Sequence, residues 1–248
     1  LWDTPARRSP GSSGAGRRSL NPVFYDPRMA GERDRQESIE EQQAAVALLQ
    51  HALARLEGLS DLPSPRIGST LGLERVHTAY MPLDTLVVMH RSRAIDNLEV
   101  LSAAMVREAE GRIVAYPFAL YPLIRASIES AATAMWLIQS SRKGDRVLRA
   151  LQLSYRSLAD ARSFSGLLVP RGDRSAEQQA VERYQSTVTR LNELKDSIGS
   201  LRQKQLGNPP KYTQILAKVS PPRSRELDSP LVVWKLASAF IHGSDHVM

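Results

Sequence analysis

The chain of 248 residues contains no cysteine. This absence excludes a disulfide scaffold, a thiolate zinc site, an iron–sulfur cluster and a cysteine nucleophile. The five histidines that remain do not form a metal-binding pair within one predicted helix. One Glu-x-x-His pattern, Glu74 to His77, lacks the second copy that a di-iron bundle needs. We therefore expect no metal site and no cofactor.

Long apolar runs are also missing. The longest, Ala131–Ile138, falls well short of the roughly 20 residues that cross a bilayer. The N-terminus does not combine a basic region with an apolar stretch and a cleavage site, as a secretory signal does. No Gly-rich phosphate loop, HExxH zinc helix or G-x-S-x-G nucleophile elbow occurs. These absences predict a cytoplasmic protein that stays out of the membrane, and they remove the commonest enzyme signatures.

Aromatic residues are scarce at 6%, whereas Ala and Leu are plentiful. This balance favours helices packed through aliphatic side chains. Residues 1–32 are rich in Pro, Gly, Ser and Arg and have no apolar periodicity, which predicts a disordered basic arm. Residues 33–248 are expected to form a single α-helical domain. The fold class is all-α, a helical bundle of about six or seven helices.

Apolar spacing and capping signals place the helices. They are predicted over 33–59, 82–111, 122–139, 144–168, from 175 onward, 212–219 and 230–241. The 122–139 helix is apolar nearly all round and should be central. The helix that begins at Ser175 carries a narrow stripe, Val181, Tyr184, Val188, Leu191, Leu194 and Ile198. Its spacing of three and four suits a coiled-coil-like arm or a dimer seam, so a homodimer is expected.

Two opposite charges stand out in the central helix. Arg125 and Glu129 are four residues apart among small and apolar neighbours, so they share one face and must pair if that face is buried. They are either a structural ion pair or part of a polar pocket. Asp96 of the preceding helix and His242 at the end of the last helix complete the candidate pocket. His242 is also placed to cap that helix, beside Gly243.

A second candidate site follows the helix at 144–168. Arg142, Arg146, Arg149 and Arg156 recur at spacings of four, three and seven, which predicts one continuous basic face. Such a face can bind phosphates, although it can equally be a solvated surface. Together with the net charge of +7, it makes nucleic-acid backbone binding without sequence recognition an alternative function.

Four segments resemble a family of uncharacterised all-helical proteins of high-GC Gram-positive bacteria. They are AIDNLEVLSAAM (94–105), YPLIRASIESAATAMWLI (121–138), DRVLRALQLSYRSLAD (145–160) and WKLASAFIHG (234–243). The matching positions are Arg125, Glu129, Trp136, Arg146, Arg149, Asp160, Trp234, Ser238, His242 and Gly243. The resemblance spans roughly residues 80–245 and implies a helical fold but no activity.

A looser similarity links the chain to HEPN-type helical bundles, some of which are toxin or defence ribonucleases. Their signature is an Arg followed by four to six residues and a His, and no His of this chain has such an Arg upstream. The resemblance therefore implies a non-catalytic member.

Three functions stay open. The leading hypothesis is a non-enzymatic helical interaction module, serving regulation, stress response or phage defence. The alternatives are a small-ligand-binding protein or enzyme, and a nucleic-acid backbone binder.

Overall fold

The computed structural model describes residues 39–60, 63–107, 112–113, 117–168, 173–220 and 229–242. They form an all-α bundle, which confirms the predicted fold class. The helices are α1 Ile39–Ser60, α2 Thr70–Leu73, α3 Leu83–Met105, α4 Pro117–Ile138, α5 Lys143–Leu168, α6 Arg174–Asp196, α7 Tyr212–Val219 and α8 Pro230–Ile241. Two 3₁₀ helices, Glu74–His77 and Gly199–Leu201, lie between them. None of these helices is both long and apolar enough to cross a membrane.

The chain divides into two units, residues 1–41 and 42–248. Only Ile39–Glu41 of the first unit are among the described residues. The predicted arm, residues 1–32, lies outside them, and so does Gly243. The prediction of one domain from 33 to 248 stays a prediction.

Two clusters of buried side chains form the core of the larger unit. The first joins α3, α4, α5 and α7 through Leu83, Leu86, Ala132, Trp136, Leu137, Ala150, Ile215 and Leu216. The second joins α5 to α6 and the segment after it, through Val147, Leu151, Leu191, Leu201 and Leu206. Each buried leucine or isoleucine contributes about 1.5–3 kcal/mol relative to an exposed one. Because α5 supplies residues to both clusters, it links the two parts of the core.

Two helix boundaries differ from the prediction. The second predicted helix was expected to reach Gly111, but α3 ends at Met105, because the next residues pair in a short antiparallel ladder of β1 Val106–Arg107 with β2 Arg112–Ile113. Gly111 itself is not described. The next helix begins at Pro117 rather than near Pro122, so Pro122 lies inside α4. Pro122 is exposed, and its ring nitrogen provides no N–H for the helix.

Smaller differences concern helix ends. The loop expected over 60–73 ends in the four-residue helix α2. α6 begins at Arg174, one residue before the expected start, and its N-cap is Asp173, whose carboxylate accepts a 3.0 Å hydrogen bond from the Ala176 N–H. Ser229 and Pro230 begin α8 as predicted, although the Ser229 hydroxyl makes no capping bond. The residue at the C-cap of α8 is His242.

The predicted stripe on α6 packs within the chain. Leu191 is fully buried, and Leu194 and Ile198 pack with it against α5. These three residues of the stripe are therefore used in packing within the chain, and the expected dimer stays a prediction. Phe164 of α5 is exposed, because residues 161–167 extend beyond the second cluster.

One side of α4 is uncovered. Trp136 and Leu137 are buried as expected of a central helix, but Ala131 is exposed, and Met135 and Ile138 are 53% and 45% exposed. These three residues, here called the α4 stripe, follow one another at spacings of four and three. Such spacing places them in one line along the helix. The apolar sequence of α4 therefore covers the core on one side and faces solvent on another.

Glu74 and Arg146 form a buried ion pair. Arg146 Nε donates to Glu74 Oε2 over 3.1 Å, and its Nη2 donates to Oε1. The two residues are only 1% and 7% exposed. Arg146 Nη1 also donates to the Ser140 carbonyl oxygen over 2.6 Å. This pair fixes the 3₁₀ segment before α3 against α5.

We expect Arg146→Met to lower the free energy of unfolding by about 3–5 kcal/mol, because it leaves the Glu74 carboxylate buried without a partner. Urea unfolding followed by circular dichroism measures this change. The double variant Glu74→Leu/Arg146→Met should recover most of the loss, because it removes both charges. Arg190→Met, which breaks an exposed pair with Glu193, is the control and should cost less than about 1 kcal/mol. A loss for Arg146→Met no larger than that of the control would contradict this account.

Candidate functional site

Side chains of α4 and α8 meet at the carboxylate of Glu129. Arg125 Nε donates to Glu129 Oε1 over 2.8 Å, and Trp234 Nε1 donates to the same oxygen over 2.9 Å. Arg125 and Glu129 are both half-buried, so the pair lies at the edge of the bundle rather than in a closed core. Since one oxygen of Glu129 already accepts two hydrogen bonds, the carboxylate is held in a fixed position.

Arg125 also contacts the last helix. Its guanidinium carbon lies 5.3 Å from the centroid of the Trp234 ring, a cation–π distance. Its Nη1 lies 3.3 Å from His242 Nε2, and it donates to that nitrogen when the nitrogen carries no proton. The rings of Tyr121 and Phe240 stack nearby, with centroids 4.1 Å apart and 5° between their planes. Together these contacts hold α8 along α4.

Three of the four residues proposed for the pocket come together, and Asp96 does not join them. Arg125, Glu129 and His242 are linked as described above, whereas Asp96 is exposed on α3, with no ion pair to any described residue. The face of α3 that meets α4 carries Ala94, whose carbonyl accepts a 3.0 Å hydrogen bond from Ser127 Oγ. Asp96 follows Ala94 by two residues, which on a helix turns it to the other side.

Tyr212 of α7 belongs to the same neighbourhood and was missed by the sequence argument. Burial, and then the negative charge of Glu129, raise the pKa of its hydroxyl, whereas Arg156, Arg93 and Arg125 oppose that rise. The Arg156 guanidinium carbon lies 5.7 Å from the Tyr212 ring centroid. Tyr212 opens a helix of eight residues after a loop, and no spacing pattern distinguishes it from a core residue.

The four arginines predicted to form an anion-binding face do not form one. Arg146 is buried with Glu74, and Arg149 stacks on Trp136 at 5.3 Å and donates from Nη1 to the Trp136 carbonyl. Burial lowers the pKa of Arg149. The last carbonyls of a helix have no N–H donor within that helix. Arg149 donates to such a carbonyl near the end of α4, that of Trp136, and Arg146 donates to the carbonyl of Ser140, which follows α4. Arg142 and Arg156 remain exposed but are too few to make a continuous face.

Grooves of different sizes open among the described residues. The first, about 570 Å³, lies between the outer parts of α5 and α6. The second, about 330 Å³, lies beside Trp136 and Arg149, and the third, about 190 Å³, lies beside Arg75 and Asp84. The cluster around Glu129 lines none of the three.

The histidines and carboxylates do not assemble into a metal site within the described part of the chain. The Glu-x-x-His pattern is used differently: Glu74 pairs with Arg146, and His77 Nδ1 lies 3.0 Å from Ser197 Oγ. Glu74 is therefore a core residue, although it lies between two predicted helices.

Comparison with protein-family models, with curated proteins and with solved structures finds no match. The family resemblance carried by Arg125, Glu129, Trp234 and His242 therefore stays a prediction. Function has to be inferred from the geometry of this chain alone.

We expect the hydrogen bond from Trp234 to Glu129 to contribute about 1 kcal/mol to stability. A double-mutant cycle of Trp234→Phe and Glu129→Leu, which removes the acceptor oxygen, is measured by urea unfolding and isolates this coupling from the smaller volume of phenylalanine. As a control, a cycle of Trp234→Phe with Tyr80→Phe, whose hydroxyl makes no hydrogen bond to a described residue, should show no coupling. A coupling near zero in the first cycle would mean that the bond does not hold α8.

Stability should also depend on the protonation of His90 in α3. Burial, and then the charge of Arg93, lower the pKa of His90 to about 4, and its Nδ1 has no hydrogen-bond partner among the described residues. An unfolded chain titrates near 6.5, so it binds more protons than the folded chain between these values. This contribution to stability is therefore fully present above about pH 6.5 and is lost as the pH falls towards 4.

We expect the folded chain to lose about 2–3 kcal/mol of stability through His90 between pH 7.5 and pH 4.5. Urea unfolding at both values, on the natural chain and on His90→Leu, separates this effect from that of the carboxylates. The variant should lose correspondingly less between the two values. The same pH dependence in both proteins would refute the assignment.

Proposed function

We propose that the protein is a non-enzymatic helical interaction module that associates with a second copy of itself through the α4 stripe. The observation that carries this proposal is the exposure of Ala131, Met135 and Ile138 on a helix whose other sides are in the core. Exposed apolar residues that are contiguous, rather than scattered singly, are typical of protein–protein contacts.

The spacing of the stripe fits a helix–helix contact. Its three residues follow one another at steps of four and three. This is the repeat that brings apolar residues of two helices into contact along their length. The small side chain of Ala131 leaves room for a larger one, such as Met135 of the other copy, in an antiparallel arrangement.

Charge favours a second copy as the occupant. α4 and the residues after it carry no charged side chain between Glu129 and Arg142, although 24% of the chain is charged. A charged partner would find no complement along this segment. Two copies of a chain with a net charge of +7 would meet here without placing like charges opposite each other.

The polar cluster supports the same proposal. Glu129 accepts bonds from Arg125 and Trp234, and His242 is turned to Arg125, so their polar atoms serve helix docking. Catalysis by this set would require a base with access to a substrate, and Asp96 lies apart from it.

The nucleic-acid alternative is weakened because Arg146 and Arg149 are used inside the chain. As part of the same proposal, we place the protein in the cytoplasm. Cytoplasmic proteins rarely rely on disulfides, so a chain without cysteine fits that compartment.

Sedimentation equilibrium of the full chain at about 5–200 µM tests the proposal. Three exposed side chains are a small anchor, so we expect a dimer that dissociates in the micromolar range. Met135→Glu should shift the equilibrium to the monomer by at least about tenfold, because each dimer would bury a pair of unpartnered carboxylates. Circular dichroism checks that the variant keeps its helices.

Phe164→Glu is the matched control, because Phe164 is an exposed apolar residue on a different helix, α5. It should leave the dimer unchanged. A chain that stays monomeric over the whole concentration range would overturn the proposal. A dimer broken by Phe164→Glu and not by Met135→Glu would overturn the assignment to α4.

A further inference from the structure

The groove of about 570 Å³ between α5 and α6 lies away from both the α4 stripe and the cluster around Glu129. It opens between α5 and α6 where the two helices extend beyond the second core cluster, and Tyr80, from the loop before α3, closes one side. Its volume of about 570 Å³ is within the range of small-molecule sites, roughly 300–1,000 Å³. A ligand in it would lie between two helices of one rigid pair.

Two arginines line this groove without a carboxylate to neutralise them. Arg162 comes from α5 and Arg183 from α6, and neither forms an ion pair with a described residue. The acidic residues closest to them in sequence have partners of their own: Asp160 pairs with Arg156, and Glu182 accepts a 2.8 Å hydrogen bond from Gln178. No acidic side chain is among the groove's lining residues. The groove therefore concentrates positive charge and offers guanidinium donors, which suit phosphate oxygens.

An aromatic residue fixes one of these arginines. The Arg162 guanidinium carbon lies 4.7 Å from the centroid of the Tyr184 ring, a cation–π contact. Hydrogen bonding to Tyr184 also raises the pKa of the Tyr155 hydroxyl. The cation–π contact with Tyr184 orients Arg162. A positioned guanidinium loses less side-chain entropy when an anion binds.

Part of the groove's lining, here called its floor, is apolar. Leu158, Ala161, Ala176 and Ala180 line it, and the alanines leave the space that larger side chains would fill. Such a floor suits the face of a planar ring, whereas a bare phosphate would contact only the rim. Tyr80 at the side offers a second ring surface for stacking.

We propose that the groove between α5 and α6 binds a small phosphorylated compound that carries an aromatic or heterocyclic ring. The phosphate contacts Arg162 and Arg183, and the ring lies on the alanine floor beside Tyr80. This site is independent of self-association through α4, because it uses other helices.

Isothermal titration of the full chain with adenosine monophosphate, adenosine and inorganic phosphate tests the proposal. We expect adenosine monophosphate to bind at least about tenfold more tightly than either of the others, because it alone uses both the arginines and the floor. Arg162→Gln and Arg183→Gln should each weaken its binding about tenfold, which is the effect of losing one charged hydrogen bond at a partly exposed site. Binding should also weaken as the salt concentration rises.

Arg190→Gln is the control of equal charge change, since Arg190 lies on α6 outside the groove and pairs with Glu193. It should change the affinity less than twofold. Equal losses in all three variants would mean that only net charge matters, and would overturn the site. No binding at millimolar concentration, phosphate binding as tightly as the nucleotide, or a single-stranded oligonucleotide binding far more tightly than the nucleotide would each overturn it as well.

Discussion

The charge of Arg146 has to be neutralised inside the bundle, and the course of the chain before α3 follows from that requirement. Arg146 lies on α5 between the two core clusters, where an unpaired guanidinium would be prohibitively costly. Glu74 meets it with both carboxylate oxygens. A segment that would otherwise be a surface loop is thereby drawn into the core. Thr78, which follows this segment, accepts a hydrogen bond at its Oγ1 from the N–H of Leu83, the first residue of α3. Arg146 of α5 therefore determines where the segment before α3 lies.

α4 carries both the cluster that docks α8 and the exposed α4 stripe. On one side it carries Arg125 and Glu129, which dock α8 through Trp234 and His242. On another it carries Met135 and Ile138, which nothing described covers. The helix is apolar almost all round because its sides contact the core or, in the proposed dimer, another copy. Arg125 and Glu129, near the middle of α4, orient α8. Loss of their contacts would loosen α8 without changing the residues of the α4 stripe.

Helices could be predicted well from the sequence, since their apolar spacing and their caps are local features. The range of α5 and the Ser229–Pro230 start of α8 are examples. The partner of each face could not be predicted, because it depends on contacts distant in sequence. The α6 stripe looks equally suited to a dimer seam and to packing on α5, and only the fold decides. Arg146 looks like a member of a solvated basic face, because its partner Glu74 stands 72 residues earlier. Within the candidate pocket, Arg125 and Glu129 were recognisable from their spacing alone, whereas Tyr212 carried no signal.

The distance along the chain between Glu74 and Arg146 has a consequence for synthesis. During translation, α3 and α4 can pair as soon as both have left the ribosome, because they are neighbours in sequence. Glu74 has to wait for 72 further residues before its partner exists. At about 5–20 residues per second, this wait lasts roughly 4–14 s. For that time the segment ahead of α3 stays undocked beside a helical hairpin whose apolar faces are still open, so the nascent chain is most exposed to wrong partners just before α5 emerges.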